Sequence, residues 1–392
     1  MILLASLQWI VGPLLAYKFN SDDEFYYMAV DLPTYMGYVV PATAFFIFGL
    51  YLPVFRKTQK ISLFLPKIKQ FILKYKRIDL IFIGIGIVSD ILSDIVPESL
   101  RFVFFLFSGL RFIGLYFLFL SQRKNKLLYV IIIMTWLFLS ALKDTIFHDF
   151  LLWSSFFILI AAFITKPSLQ KKLIYLLGIL VIIIAIQTVK YSFREAVKEG
   201  TGSGITLFSD LVEEKVISSN YVSSESNISS MITRINQGWI IARIMSWTPS
   251  REPFAGGETI SEAIKASFLP RFLFPNKIRA GGRTYFTRFT GKDISNETSM
   301  GLSLLGEAYA NYGIFGGILF LFLIGFFYNF FIHKIYDLAK KHPSLVFFIP
   351  LIFLQVVKAE TDFSVILNYL VKASIIVWFI FWSLNKFFKV RI

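Results

Sequence analysis

Eight arginines fall within one hydrophilic segment of this chain, Lys190 to Met300: Arg194, Arg234, Arg243, Arg251, Arg271, Arg279, Arg283 and Arg288. A guanidinium is planar, always charged, and presents a donor fork that matches phosphate oxygens two at a time. Several such groups around one site suit a polyanion. A diphosphate leaving group in particular needs its developing charge neutralised in the transition state. Two prolines, Pro270 and Pro275, bracket an apolar turn with Arg271, Lys277, Arg279 and Arg283 around it. Gly281 and Gly282 follow and free the backbone to approach a ligand closely.

The charge of this segment is uneven. Residues 190–230 carry four basic side chains against six acidic ones and read as a mobile lead-in with a short helix near 207–217. Residues 231–292 carry ten basic against three acidic, Glu252, Glu258 and Glu262. Two helices are expected in the basic half. Over 226–247, Ile228, Ile232, Ile235 and Trp239 form an apolar stripe that Arg243 continues. Arg234, nine residues before Arg243, then points to the opposite face. Thr248-Pro249 ends that helix. The second, over 259–269, opens with Thr259 and Glu262 at capping-box spacing and suits a helix lying in a membrane interface.

Everything around this segment is greasy. The chain has 392 residues, 56% of them hydrophobic, and a mean hydropathy of +0.66. That composition belongs to an integral membrane protein, all-α and polytopic. There is no cysteine, so disulfides and thiolate chemistry are excluded. Three histidines (His148, His333, His342) leave little room for a histidine metal site, and no metal or cofactor is expected. A net charge of +15 is explained by cytoplasmic loops rather than nucleic acid.

Ten stretches approach the length that crosses a bilayer: 2–17, 35–55, 78–96, 99–121, 127–143, 147–165, 173–189, 311–332, 343–358 and 364–384. The N-terminal stretch lacks a basic leader and reads as a first span rather than a signal peptide. Every second loop is basic: 56–77, 122–126, 166–172, 333–342 and the tail. The positive-inside rule then puts both termini in the cytoplasm and the large segment outside. The organisation expected is helices 1–7 over 1–189, an external loop over 190–300, and helices 8–10 over 301–392. Arg111 and Asp90 fall within spans and are expected to pair or to line a cavity.

The run MGLSLLGEAYANYGIFGG at 300–317, the upstream PRFLFPNK at 270–277 and the layout as a whole carry a family likeness. The chain resembles the O-antigen and exopolysaccharide repeat-unit polymerases of the Wzy type. These are similar in architecture to O-antigen ligases and GT-C-like membrane glycosyltransferases. The resemblance implies glycosyl transfer from undecaprenyl diphosphate-linked oligosaccharide on the periplasmic face of a bacterial inner membrane. It also implies a flippase and a chain-length regulator as partners, besides the bilayer itself. Arg271 and Gly282 match an arginine–glycine spacing described in that family. The ligases carry a loop histidine that this segment lacks, which favours a polymerase.

Under that resemblance Arg271 and Arg279 clamp the diphosphate, and Glu307 orients or deprotonates the acceptor hydroxyl in an inverting, metal-free transfer. Arg234, Arg243, Arg251, Lys277, Arg283, Arg288, Tyr309 and Asn311 are expected to bind diphosphate or glycan. Glu360 and Asp362 are the second choice for the base. An O-antigen ligase, another GT-C transferase with Asp22-Asp23-Glu24 as its acidic motif, and a lipid-linked oligosaccharide transporter are the alternatives.

Overall fold

A computed structural model describes residues 1–19, 25–54, 61–143, 145, 147–217, 232–233, 235–268, 282–295 and 299–389. In chain order the main helices are α1 (Ile2–Phe19), α2 (Leu32–Tyr51), α3 (Leu65–Lys74), α4 (Ile78–Ser93), α5 (Glu98–Leu120), α6 (Lys126–Lys143) and α7 (His148–Thr165). They continue with α8 (Leu169–Glu199), α9 (Gly204–Val212), α10 (Gly238–Trp247), α11 (Glu258–Phe268), α12 (Arg283–Thr290), α13 (Ser303–Ala339) and α14 (Phe363–Phe388). Among the described residues there is no strand, and eight helices are long and apolar enough to cross a membrane: α1, α2, α5, α6, α7, α8, α13 and α14. The chain is an all-α polytopic membrane protein. It divides into two compact units, one of Met1–Phe64 with Ser229–Ile392, the other of Leu65–Ile228.

In the first unit α13 is the axis, and α2 runs parallel to it. Glycines let the two backbones meet. A Cβ on Gly325 would lie 2.2 Å from the Phe46 carbonyl oxygen, and one on Gly49 would lie 2.3 Å from that of Phe322. Asn329 donates to the Leu52 carbonyl (2.8 Å), which the end of α2 leaves without a helical partner. α1 widens to a π-turn at Leu7–Val11. There Tyr35 donates to the Trp9 carbonyl (2.8 Å), and the Trp9 indole donates to the Ala359 carbonyl (3.2 Å).

The stretch expected as a span over 343–358 is not one helix. It is a 3-10 turn over Pro343–Phe348, one α-turn over Ile349–Ile352, and further turns. Pro343 and Pro350 lack amide hydrogens and interrupt the ladder. The stretch still runs back along α13. Phe353 packs on Tyr328 and Phe331, and the Glu360 carbonyl faces Gly301. Phe381 of α14 then packs on His342 and Phe348. Irregular backbone of this kind is tolerated where protein buries it, and Ser344–Phe348 and Leu351–Leu354 are buried.

The second unit opens with an antiparallel hairpin of α4 and α5. Gly86 abuts the Arg111 backbone, and Gly114 abuts the Asp79 carbonyl. α4 is shorter than expected because the chain turns before Pro97. Arg111 pairs with Asp90 inside this hairpin. α8 continues to Glu199, ten residues past the expected end of its span. The acidic lead-in is therefore partly helical, and it has a core. Phe208 of α9 packs with Phe147, Phe193, Val189 and Leu142. The short helix expected near 207–217 is α9 followed by a π-turn over Glu213–Ile217.

Candidate functional site

Within the first unit the described part of the basic half packs against the N-terminal part of α13. Of the helix expected over 226–247, α10 is continuous from Gly238, and just before it the Gln237 amide donates to the Gln8 carbonyl (3.2 Å). A Cβ at Gly238 would strike Pro13 and the Tyr35 hydroxyl. Arg234, Arg271, Lys277 and Arg279 lie outside the described residues, as does Asp22-Asp23-Glu24.

α10 and the turn after it build a charged patch on Trp247. Arg243 lies one helical turn before the indole, with its guanidinium carbon 5.3 Å from the ring centre. Arg251 lies 4.7 Å from the same ring. Both distances fit cation–π attraction. The turn places Arg251 because the Trp247 carbonyl accepts from the amides of both Arg251 (2.8 Å) and Glu252 (3.3 Å). Arg243 also donates to the Thr290 carbonyl (2.8 Å) and the Tyr27 hydroxyl (3.1 Å). Among the described residues neither arginine has a carboxylate partner. Gly291 closes the patch from below. Its φ is 64°, and a Cβ there would meet the indole at 2.4 Å. Lys292 adds a third cation, donating to the Phe25 carbonyl (2.7 Å) and lying over the rings of Phe25 and Tyr27.

Arg288 belongs to the same face but is differently engaged. Its Nε donates to Glu252 (2.6 Å), and its two terminal nitrogens donate to both oxygens of Glu258 (2.9 and 3.0 Å). That fork holds the Glu258 carboxyl below its ordinary range, and Glu258 with Glu252 raises the guanidinium in return. Arg283, at the start of α12, is exposed. Tyr285 donates to Glu262; its phenol is raised first by burial and then by that carboxylate.

One residue beyond Glu258 the environment changes completely. Thr259 does not form the expected capping box. Its hydroxyl donates to Glu307 Oε1 (2.7 Å) and accepts from Asn311 (2.8 Å), while Glu262 is taken by Tyr285. Glu307, expected at the outer mouth of its span, has no solvent exposure. Its second oxygen accepts from the Phe363 amide at the start of α14 (2.6 Å). Asp362 caps α14, accepting from the Val365 amide (3.1 Å) and the Ser364 hydroxyl (3.3 Å), and burial raises its carboxyl. Glu360 is half-buried. Tyr309 is buried between the rings of Tyr38 and Phe254.

A kink in α13 locks this hub in place. Gly313 has φ 65° and ψ −158°, a conformation open only to glycine. The break leaves the Ala310 and Asn311 carbonyls without helical partners. The amides of Ala255 and Gly256 fill them, each at 3.0 Å, and Gly257 donates to the Asn311 side chain (3.1 Å). Residues 255–257 thus join the patch to the hub.

Of the expected site residues, Arg243, Arg251 and Arg288 gather on the patch, and Glu307, Asn311 and Asp362 gather around the hub. Trp247, Tyr27, Glu252, Lys292 and Thr259 were not among the expected site residues. The spacing of Arg243 and Trp247, four apart on a helix, is the one signal that could have found the first of them. No family model, curated protein or solved structure matches this chain.

Proposed function

We propose that this chain polymerises undecaprenyl diphosphate-linked oligosaccharide repeat units by glycosyl transfer on the periplasmic side of the bacterial inner membrane. One observation carries the reading: Arg243 and Arg251 converge on Trp247 with no carboxylate partner among the described residues, while the neighbouring Arg288 is neutralised. Guanidiniums left uncompensated on a half-exposed face suit a diphosphate. Cytoplasmic retention cannot explain their charge if the face is external. The α4 hairpin and the interrupted stretch over 343–358 add two passes to the eight long helices. Ten passes keep the alternation of basic loops in phase, with both termini inside. The likeness of residues 270–317 to Wzy-type polymerases points the same way.

In this reading Arg243 and Arg251 hold the leaving diphosphate, Lys292 and Tyr27 complete the anion site, and Glu307 positions the scaffold beneath them. Arg271 and Arg279 remain candidates for the same clamp. The test is deletion of the gene in its host and electrophoresis of surface polysaccharide. A polymerase mutant keeps single repeat units on the lipid acceptor and loses the ladder. Loss of single units as well favours a transporter, the reading to which the Arg111–Asp90 pair lends support. The doubly substituted Arg243→Ala/Arg251→Ala protein, present in the membrane at normal level, should reproduce the deletion.

A further inference from the structure

We infer that Glu252 is the general base that takes the acceptor hydroxyl proton, and that Arg288 is its positioning residue. The inference rests on the polymerase reading above and deepens it. An acceptor sugar hydroxyl is a weak nucleophile, and a carboxylate within hydrogen-bond reach is the ordinary way to activate it. Glu307 has both oxygens occupied and no exposure. Glu258 has both oxygens on the Arg288 fork. Asp362 is buried and spends Oδ1 on capping.

Glu252 differs from all three. Its Oε1 accepts from Arg288 Nε (2.6 Å), and its Oε2 has no partner among the described residues. The side chain keeps 24% exposure. One oxygen is therefore aimed and the other is open. The triad is also electrically incomplete, because one guanidinium serves two carboxylates and leaves a negative charge over. Position completes the case. Glu252 follows Arg251 directly, and both amides share the Trp247 carbonyl. Its partner Arg288 lies two residues from Thr290, whose carbonyl holds Arg243. Glu252 and the two guanidiniums that lack a carboxylate partner among the described residues thus lie around the turn at Trp247.

The step balances within these groups. The acceptor oxygen forms a bond to the anomeric carbon as its proton passes to Glu252 Oε2. The bond from that carbon to the diphosphate oxygen breaks, and the electron pair leaves with undecaprenyl diphosphate, whose charge Arg243 and Arg251 take up. The proton on Glu252 then returns to solvent.

Two measurements separate this inference from the reading beneath it. Binding of undecaprenyl diphosphate is followed on the full chain in lipid nanodiscs, and polymerisation is followed in membranes of the host carrying its own lipid-linked repeat unit. Glu252→Gln should bind undecaprenyl diphosphate as the parent does, yet lose turnover by about 10²- to 10⁴-fold. Glu252→Asp should recover part of the rate, and Arg288→Lys should lower kcat with KM unchanged. A Glu252→Gln protein that reaches the membrane and makes a normal ladder overturns the inference and leaves the polymerase reading standing. If Arg243→Ala/Arg251→Ala binds undecaprenyl diphosphate as well as the parent and makes a normal ladder, the polymerase reading fails, and the role of Glu252 falls with it.

Discussion

Two polar regions meet on α11, where Glu258 faces the patch around Trp247 and Thr259 faces the hub around Glu307. Both hold carboxylates, yet they are built on opposite terms. In the hub Glu307 and Asn311 are closed. Glu307 accepts two hydrogen bonds, Asn311 uses both ends of its amide, and neither meets solvent. In the patch, among the described residues, Arg243 and Arg251 have no carboxylate partner and Glu252 keeps one oxygen without a hydrogen bond. A buried polar network is stable only when every member is satisfied. A site that must receive a charged ligand needs members left unsatisfied, and solvent makes that tolerable. The contrast assigns scaffold to one region and ligand chemistry to the other.

That assignment is open to direct attack. The largest effect is expected from Glu307→Ala, which strands the Thr259 hydroxyl and the Phe363 amide inside the fold. A loss of about 3 kcal/mol is expected, read as a lower thermal midpoint in detergent and poor accumulation in the membrane. A stable Glu307→Ala protein lacking only its ladder would move Glu307 from scaffold to chemistry. Gly313→Ala comes next. The side chain would force a glycine-only conformation and press on Phe254, costing about 1–3 kcal/mol in the same assay. Thr259→Val should cost about 1 kcal/mol, since it removes the hydroxyl but leaves the apolar packing. Arg243→Ala/Arg251→Ala should leave the thermal midpoint unmoved while abolishing undecaprenyl diphosphate binding. A fall in the midpoint equal to that of Thr259→Val would erase the contrast.

The smallest effect concerns pH. Arg288 depresses the Glu258 carboxyl, so this pair adds stability above the ordinary carboxylate range and loses it as pH falls through the depressed value. Asp362 is raised by burial, so its contribution has the opposite sign: present in acid, lost as pH rises through the raised value. Glu258→Gln should therefore flatten the drop in thermal midpoint as pH falls below the ordinary carboxylate range. An unchanged acid slope would show that the Arg288 fork carries no net stability.

Length and apolarity made most of the fold legible. The long apolar runs became helices, and the divide between acidic and basic halves of the hydrophilic segment falls close to the boundary between the two compact units. The interrupted stretch over 343–358 was not legible, because its prolines are compatible with a kinked span until burial shows what satisfies the backbone. The site was read less well, for a reason of distance along the chain. Arg288 finds its carboxylates 36 and 30 residues away, and Glu307 finds Thr259 at 48. Residue type marks which groups carry charge. Only the folded path decides which of them are already spent.

The Trp9 indole reaches Ala359 across 350 residues of sequence. The first unit is thus made from the two ends of the chain, with the whole of the second inserted between them. During synthesis the N-terminal helices must wait in the bilayer while the translocon delivers every later one. The hydrogen bond that joins α1 to the stretch before α14 therefore forms only after nearly all of the chain has been made.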